Sequence, residues 1–126
     1  MTYETIMKRS DDIWKWSRNK ENLKNKCYEG FHEIRKLEGV LEANGMRYST
    51  QVDDGGLTVI FEYDNGKQLA KARENCFSEG AAMDLLEVYG LYENKRKVYG
   101  FIDSSTAFSM FLNSLRIYTA VLNKAV

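Results

Sequence analysis

Four acidic side chains and no basic ones lie between positions 53 and 64 of the sequence. They are Asp53, Asp54, Glu62 and Asp64. A bound cation would need several of their oxygens to converge on one point. The first two acids sit in a predicted turn, and Asp64 lies beyond a strand of about seven residues, which spans roughly 20 Å at about 3.3 Å per residue. We therefore predict no metal site here. Asp53 and Asp54 are expected to form the turn and to solubilise the edge of the sheet, and the alternative is that they offer an acidic surface to a basic partner.

Basic and aromatic residues alternate nearer the N-terminus. Positions 8–26 carry seven basic and three acidic side chains. Such a mixture suits single-stranded nucleic acid, whose phosphates bind cations and whose bases stack on rings. In a helix, however, Trp14 and Trp16 point about 200° apart and cannot form one stacking platform. We predict that one ring is in the core and that the other is a surface residue or anchors a protein interface, where tryptophan is enriched, with nucleic-acid contact as a further alternative. The candidate contact residues are Trp14, Lys15, Trp16, Arg18 and Lys20.

Catalytic and cofactor motifs are not recognisable in the chain. His32 is the single histidine, and Cys27 lies five positions before it, which does not place the two on one helical face. Ser104 and Ser105 are typical helix caps, because no glycine-flanked nucleophile turn surrounds them. The segment Asp53–Gly56 lacks the lysine and the following helix of a phosphate-binding loop. We therefore predict a protein that is not an enzyme, with no catalytic residues, no cofactor and no metal.

Length and composition indicate a single folded domain over residues 1–126. Apolar residues make up 44% of the chain and charged residues 29%, as in ordinary globular domains. The formal net charge is zero, so no overall field attracts nucleic acid or an anionic membrane. No apolar run has the length of a signal peptide or a membrane span, and we expect a cytoplasmic protein of the producing or host cell. In that reducing compartment Cys27 and Cys76 are expected to be buried thiols, with a disulfide or redox pair as the alternative.

The elements that must position these residues begin with helices over residues 3–45, in one long piece or two. In the second half, apolar residues recur at intervals of three and four, which predicts one buried helical face. Those residues are Leu23, Cys27, Phe31, Ile34, Leu37 and Leu41. Asn44 and Gly45 then form a typical helix stop, because glycine tolerates the left-handed conformation of a C-cap.

Residues Met46–Tyr63 predict a β-hairpin around the loop Asp53–Gly56. In the expected register Val52 pairs with Leu57, Thr50 with Val59, Tyr48 with Phe61 and Met46 with Tyr63. These pairs place seven apolar residues on one face, and a slip of one residue would turn that whole face to water. The hairpin is therefore the anchor of the predicted fold.

Residues 67–92 are ambiguous. Lys67–Asn75 has helix-forming composition, and we predict a helix over 67–80, although helix through most of the segment is the alternative. A second hairpin follows, with strands Asp84–Tyr92 and Lys97–Ile102. If Tyr92 pairs with Lys97, tyrosine rings cover cross-strand glycines, since Gly90 faces Tyr99 and Gly100 faces Tyr89.

The last predicted helix, Thr106–Lys124, is apolar around most of its circumference. Its main stripe contains Phe108, Phe111, Leu112, Leu115, Tyr118 and Leu122, and a second stripe contains Met110, Ile117 and Val121. Such a helix must be covered on nearly all sides. It either sits between the sheet and the N-terminal helices or forms a homodimer contact.

Together these elements predict an α+β fold, in which an antiparallel sheet of two β-hairpins packs against N-terminal helices and a C-terminal helix. The leading functional hypothesis is a non-enzymatic protein-binding module, acting as an inhibitor, immunity or accessory protein, for example in anti-defence by a phage or mobile element. One alternative is a nucleic-acid-binding regulator that uses the basic-aromatic N-terminal helix. The other is a protein that binds a nucleotide-like small molecule in a pocket lined by Tyr48, Tyr63, Tyr89 and Tyr99.

Overall fold

The computed structural model describes residues 1–124 and shows an α+β architecture, as the sequence predicts. The helices are α1 (Tyr3–Ser17), α2 (Lys20–Asn25), α3 (Glu33–Ala43) and α4 (Ser104–Lys124). The strands are β1 (Tyr48–Asp53), β2 (Gly56–Glu62), β3 (Gln68–Glu74), β4 (Leu86–Tyr89) and β5 (Tyr99–Ile102), with a single 3₁₀ turn at Ala81–Met83 between β3 and β4. None of the helices within this range combines the length and apolar character that a membrane crossing requires.

The five strands form one antiparallel sheet in the order β1-β2-β3-β4-β5, so that each strand pairs with its neighbour in the chain. α3 and α4 lie side by side on one face of this sheet. The core between them is apolar and includes Phe31, Ile34, Leu37, Val59, Phe61, Val88 and Phe111, each at most 1% exposed. α1 packs instead against the Ala81–Met83 turn, and α2 against β1.

The first hairpin has the predicted register. Val52 pairs with Leu57, Thr50 with Val59 and Tyr48 with Phe61. The turn is tighter than predicted, because Asp53 pairs with Gly56, and only Asp54 (φ 50°) and Gly55 (φ 76°) form the loop. Two central residues with positive φ match the twist of antiparallel strands, which is why Asp-Gly is favoured there.

The outer end of the hairpin and one of its side chains differ from the prediction. The paired register ends at Tyr48–Phe61 and does not include the predicted Met46–Tyr63 pair. Glu62 N still donates to Arg47 O (3.1 Å), and Tyr63 N donates to Lys67 O (2.8 Å) in the next turn. Val52 is 45% exposed on the edge strand β1, although the predicted register places it on the buried face.

The predicted helix over residues 67–80 is wrong, because β3 occupies Gln68–Glu74. β3 lies between β2 and β4 and pairs with both strands, so its backbone hydrogen-bonding groups are satisfied within the sheet. Helix propensity is only a weak preference that tertiary contacts override. Leu69, Ala70 and Ala72 are fully buried, so the small and apolar residues that suggested a helix instead fill the sheet's core.

The second hairpin forms, but its predicted register is wrong. Val88 pairs with Tyr99 and Leu86 with Ile102, and the register shifts between these two pairs. Gly90 and Gly100 therefore do not face tyrosines. Gly100 is covered by the Glu79 side chain and Gly90 by that of Lys71. The extra residue in β5 makes it irregular, and Phe101 adopts φ 57° there.

The N-terminal helices are shorter than predicted. The chain leaves α2 at Asn25, and Cys27 and Phe31 lie in the connection before α3 rather than in a continuous helix. This connection is tied to the β1–β2 turn, because Tyr28 N donates to Gly55 O (2.8 Å). Phe31 still enters the core at 0% exposure, so the apolar spacing identified a buried residue although it did not identify its backbone.

α4 has the predicted extent to within two residues at its start. Its buried stripe is Ala107, Phe111, Ser114 and Tyr118, and the Phe111 ring stacks on Phe61 with centroids 5.3 Å apart. α4 lies on the sheet beside α3 rather than beneath the N-terminal helices. Val121 is 46% exposed, and a homodimer contact through this helix stays a prediction.

Candidate functional site

A groove runs between α1 and the connection that follows β3. Its volume is about 390 Å³. α1 contributes Ile6, Ser10, Ile13, Trp14 and Ser17 to the lining, and most of the opposite wall comes from Cys76–Met83. Phe101 of the irregular strand β5 completes it. We call this feature the α1 groove.

Large apolar side chains of the α1 groove are open to solvent. Trp14 is 57% exposed, Phe77 66%, Phe101 58% and Met83 36%. Met7 and Tyr3, at 52% and 74%, continue the exposed apolar surface along α1. Isolated surface hydrophobics are common, but a contiguous set around a concave site marks a surface that binds another molecule.

The position of Phe101 depends on an unusual backbone conformation. Its φ of 57° lies in the left-handed region, which a bulky side chain rarely adopts. The conformation arises where β5 carries an extra residue relative to β4. Such strain persists only where the surrounding structure maintains it, and it is concentrated at binding sites. At this point of β5 the ring lines the groove instead of joining the core.

Arg9 fixes the two walls of the α1 groove to each other. Its Nε donates to Ala82 O (3.0 Å), and Nη2 donates to Ala81 O (3.1 Å). Both terminal nitrogens also donate to Gly30 O at 3.2 Å. One guanidinium therefore joins α1, the connection before α3 and the 3₁₀ turn, so the groove exists before any partner binds.

A pair of carboxyl groups supports the wall from behind. Asp84 Oδ1 accepts hydrogen bonds from His32 N (2.9 Å) and Glu33 N (3.2 Å), and its Oδ2 lies 2.9 Å from His32 Nδ1. Glu74 is fully buried, and its Oε1 accepts from Ile34 N (3.1 Å). The two carboxyls thus cap the start of α3, where backbone N–H groups have no helical partner.

The two carboxyl groups differ in protonation. Burial raises the pKa of Glu74 to about 10, and hydrogen bonding to Asp84 adds to the rise. Glu74 Oε2 is buried and accepts or donates no close hydrogen bond within residues 1–124, and the nearby Asp84 carboxylate favours a proton on Glu74. Burial also opposes ionisation of Asp84, but hydrogen bonds from Glu74, His32 and the backbone outweigh it and lower the pKa of Asp84 to about 2. Glu74 is therefore neutral and Asp84 charged near pH 7.

The structure places the two tryptophans on different surfaces. Trp14 lies on the α1 groove, and the Arg18 guanidinium sits over its ring, 4.7 Å from the centroid. Trp16 points away from the groove and packs edge-on against Tyr28 at 5.6 Å and against Gly55. Of the predicted aromatic pair, only Trp14 reaches the groove.

The other predicted contact residues are dispersed. Lys15 pairs with Asp11 at 2.9 Å on the exposed side of α1, and Lys20 is exposed at the start of α2. Asp53 ends β1 and Asp54 lies in the β1–β2 turn, which is beside α2 because Gly55 N donates to Leu23 O (2.9 Å). Asp53 accepts a hydrogen bond from Thr58, so its carboxylate supports the turn. The acidic and basic segments are neighbours, but neither acid lines the groove.

The predicted tyrosine-lined pocket does not form. Tyr48 donates to Glu42 at the edge of the sheet, and Tyr63 packs on Tyr118. The Tyr89 ring lies under Arg73, on the sheet face opposite α3 and α4, whereas Tyr99 lines a cleft beside α4. The four rings therefore face different surroundings.

Sequence reasoning did not identify several groove and support residues. Phe77 and Met83 lay in or next to the wrongly predicted helix, and Phe101 was expected to be an ordinary strand residue. Glu74 and Asp84 meet only because β3 and the 3₁₀ turn are brought under α3. The sequence contained one indication of the carboxyl pair, since a glutamate among the small apolar residues of β3 is an unusual core residue.

Within residues 1–124, no three His, Cys, Asp or Glu side chains converge as a metal site requires.

Comparisons of the chain with protein-family models, with curated proteins and with solved structures give no match.

Proposed function

We propose that this protein is a non-enzymatic protein-binding module whose contact surface is the α1 groove. The occupant is an apolar segment of a second protein that inserts aliphatic or aromatic side chains. The observation that carries the proposal is the set of four exposed large apolar side chains around one preformed groove. Its members are Trp14, Phe77, Met83 and Phe101.

The energetics of these side chains suit a specific interface. Covering a large apolar side chain stabilises a complex by about 1.5–3 kcal/mol. Two or three such anchors supply the few dominant contacts that protein interfaces typically contain, and tryptophan is prominent among them. Because Arg9 and the carboxyl pair already hold the walls, little ordering cost is added on binding.

Charge at the groove rim favours a partner with an acidic residue beside its apolar anchor. Arg18 stacks on Trp14 and makes no ion pair among residues 1–124, whereas Lys15 is neutralised by Asp11. A carboxylate next to the inserted side chain would meet Arg18 at the edge of the interface. Such rim charges steer association and set specificity more than they add affinity.

The biological setting is part of the same proposal. A small module with a preformed apolar groove suits an inhibitor, immunity or accessory protein that covers a surface of its target. We place it in the cytoplasm, in keeping with the free thiols of Cys27 and Cys76. Self-association through α4 is a separate prediction that light scattering on the purified protein tests.

The test is selection from a random-peptide display library on immobilised wild-type protein, followed by binding measurements with synthetic peptides. We expect enriched peptides to carry aromatic or aliphatic anchors near an acidic residue. The double variant Trp14→Ala/Phe77→Ala should weaken their binding by about 100-fold or more, since each anchor contributes at least about 1.4 kcal/mol, or about tenfold in affinity. The matched control is Val52→Ala/Val121→Ala, which trims two exposed apolar residues away from the groove.

Two outcomes would overturn the proposal. One is a library that yields no peptide with affinity above background for the wild-type protein. The other is a set of peptides whose affinity falls equally in the groove variant and the control variant, which would show that they recognise general hydrophobicity. Because Trp14 and Phe77 are largely exposed, their replacement leaves the core intact, and a circular dichroism spectrum checks this directly.

A further inference from the structure

Four cations are gathered at one end of the sheet, and none of them lines the α1 groove. Lys95, Arg96 and Lys97 are consecutive and exposed in the connection between β4 and β5. Lys67 is exposed in the neighbouring β2–β3 turn. Within residues 1–124 none of the four makes an ion pair. We call this set the basic tip.

The two connections that carry the basic tip are held side by side. Tyr92 N donates to Leu69 O (2.8 Å), and Lys67 Nζ lies 5.9 Å from the centre of the Tyr92 ring. A bridge between Leu91 and Asn94 tightens the β4–β5 connection. The cations therefore project from an ordered base.

The single acid of the β4–β5 connection does not neutralise the basic tip. Glu93 Oε1 accepts from Ser114 Oγ (2.6 Å), and its Oε2 accepts from Asn113 Nδ2 (3.3 Å). Ser114 is fully buried in α4, so the carboxylate is drawn toward the helix. This contact anchors the connection to α4 and leaves the three following cations directed to solvent.

Aromatic rings lie next to the cations. Lys97 Nζ is 4.9 Å from the centre of the Tyr99 ring, and Tyr92 lies below Lys67. Tyr92 is supported in turn by Tyr118, edge-on at 5.0 Å. Cations that bind phosphates, beside rings on which bases stack, are the combination by which single-stranded nucleic acid is bound without sequence preference.

We propose that the basic tip binds single-stranded nucleic acid, with Lys67, Lys95, Arg96 and Lys97 contacting phosphates and Tyr92 and Tyr99 adjoining the bases. The surface is distinct from the N-terminal basic segment, where Lys15 is paired with Asp11 and the two tryptophans diverge. Nucleic acid is favoured over an acidic protein because phosphate charge is continuous along a strand and the partly exposed rings of Tyr92 and Tyr99 lie beside the cations.

Fluorescence anisotropy with a labelled single-stranded 20-nucleotide DNA tests the proposal. With four phosphate contacts, each contributing about 0.7 to the logarithmic salt dependence, affinity should fall about 50-fold between about 50 mM and 200 mM salt. The variant Lys95→Gln/Arg96→Gln/Lys97→Gln should weaken binding by at least about 10-fold at about 50 mM salt and reduce the salt dependence.

The matched control is Lys8→Gln/Lys24→Gln/Lys26→Gln, which removes three exposed cations from α1, α2 and the residue after α2 without touching the tip. It should change the affinity less than about twofold. The proposal is overturned by no anisotropy change at low salt, by an equal loss in the control variant, or by equally tight binding of polyglutamate. Duplex DNA that binds more tightly than the single strand would also contradict it. Equal melting temperatures of the two variants establish that folding is unaffected.

Discussion

Replacing Glu74 with glutamine should make the stability of this protein less dependent on pH. In the folded protein burial holds the pKa of Glu74 at about 10, whereas its ordinary value is 4.5. Between pH 6 and pH 8 the folded state therefore keeps one proton that the unfolded state has lost. Stability falls as pH rises wherever the folded state binds more protons, so this group destabilises the protein progressively over that window.

The magnitude follows from the proton count. One proton of difference changes the free energy of unfolding by about 1.4 kcal/mol per pH unit, or about 2.7 kcal/mol from pH 6 to pH 8. Glutamine has the shape of a protonated glutamate. It keeps an oxygen for Ile34 N and supplies an amide N–H for Asp84, but it has no proton to lose.

Urea denaturation of the wild type and Glu74→Gln at pH 6, 7 and 8, at constant ionic strength, measures the effect. In the difference between the free energies of unfolding of the two proteins, the contributions of the other titrating groups cancel. This difference should shift by about 1.4 kcal/mol for each unit of rising pH, with the variant becoming the more stable protein relative to the wild type. Glu29→Gln, which changes an exposed carboxylate, should follow the wild type. Parallel pH profiles for the wild type and Glu74→Gln would show that Glu74 is not protonated in the folded state and would refute the reasoning.

Two further predictions concern single side chains. Phe101→Gly should be more stable than Phe101→Ala by about 1 kcal/mol in chemical denaturation, because only glycine adopts the φ of 57° without strain. Both variants should weaken peptide binding to the α1 groove. Equal stabilities of the two variants would argue against backbone strain. Burial raises the pKa of Cys76 to about 11 and that of Cys27 above its usual range, so alkylation by iodoacetamide at about pH 8 should be slower for both than for a free thiol. Mass spectrometry over time measures this rate, and labelling as fast as that of glutathione would contradict the burial.

Local patterns predicted the parts of the fold whose partners are close in sequence. The first hairpin was predicted in the correct register, because alternating residues on both sides of Asp54 and Gly55 allow only one pairing that buries Val59 and Phe61. The last helix was predicted for a similar reason, since its apolar period continues for five turns. In both cases the pattern of apolar residues within the segment itself is sufficient to predict its conformation.

The error at β3 has the opposite origin. Gln68–Glu74 contains residues that an isolated peptide would place in a helix, and its strand conformation depends on pairing with β2 and β4 on either side. The irregular register of β5 is similarly set by its neighbour β4 and by Glu79, which covers Gly100. Neither influence can be read from the segment itself, because strand preference is largely a property of the surroundings.

The sequence by itself determined the α+β class, the anchoring hairpin, the C-terminal helix and most of the buried apolar residues, because periodicity records which side chains avoid water. Among the residues that could do chemistry it predicted Trp14 as a contact residue, and the structure places that ring on the α1 groove. Only the tertiary structure brought Phe77 and Phe101 beside it and joined Glu74 to Asp84. The groove and the carboxyl pair consist of residues from elements distant along the chain, so their chemistry exists only after those elements have packed together.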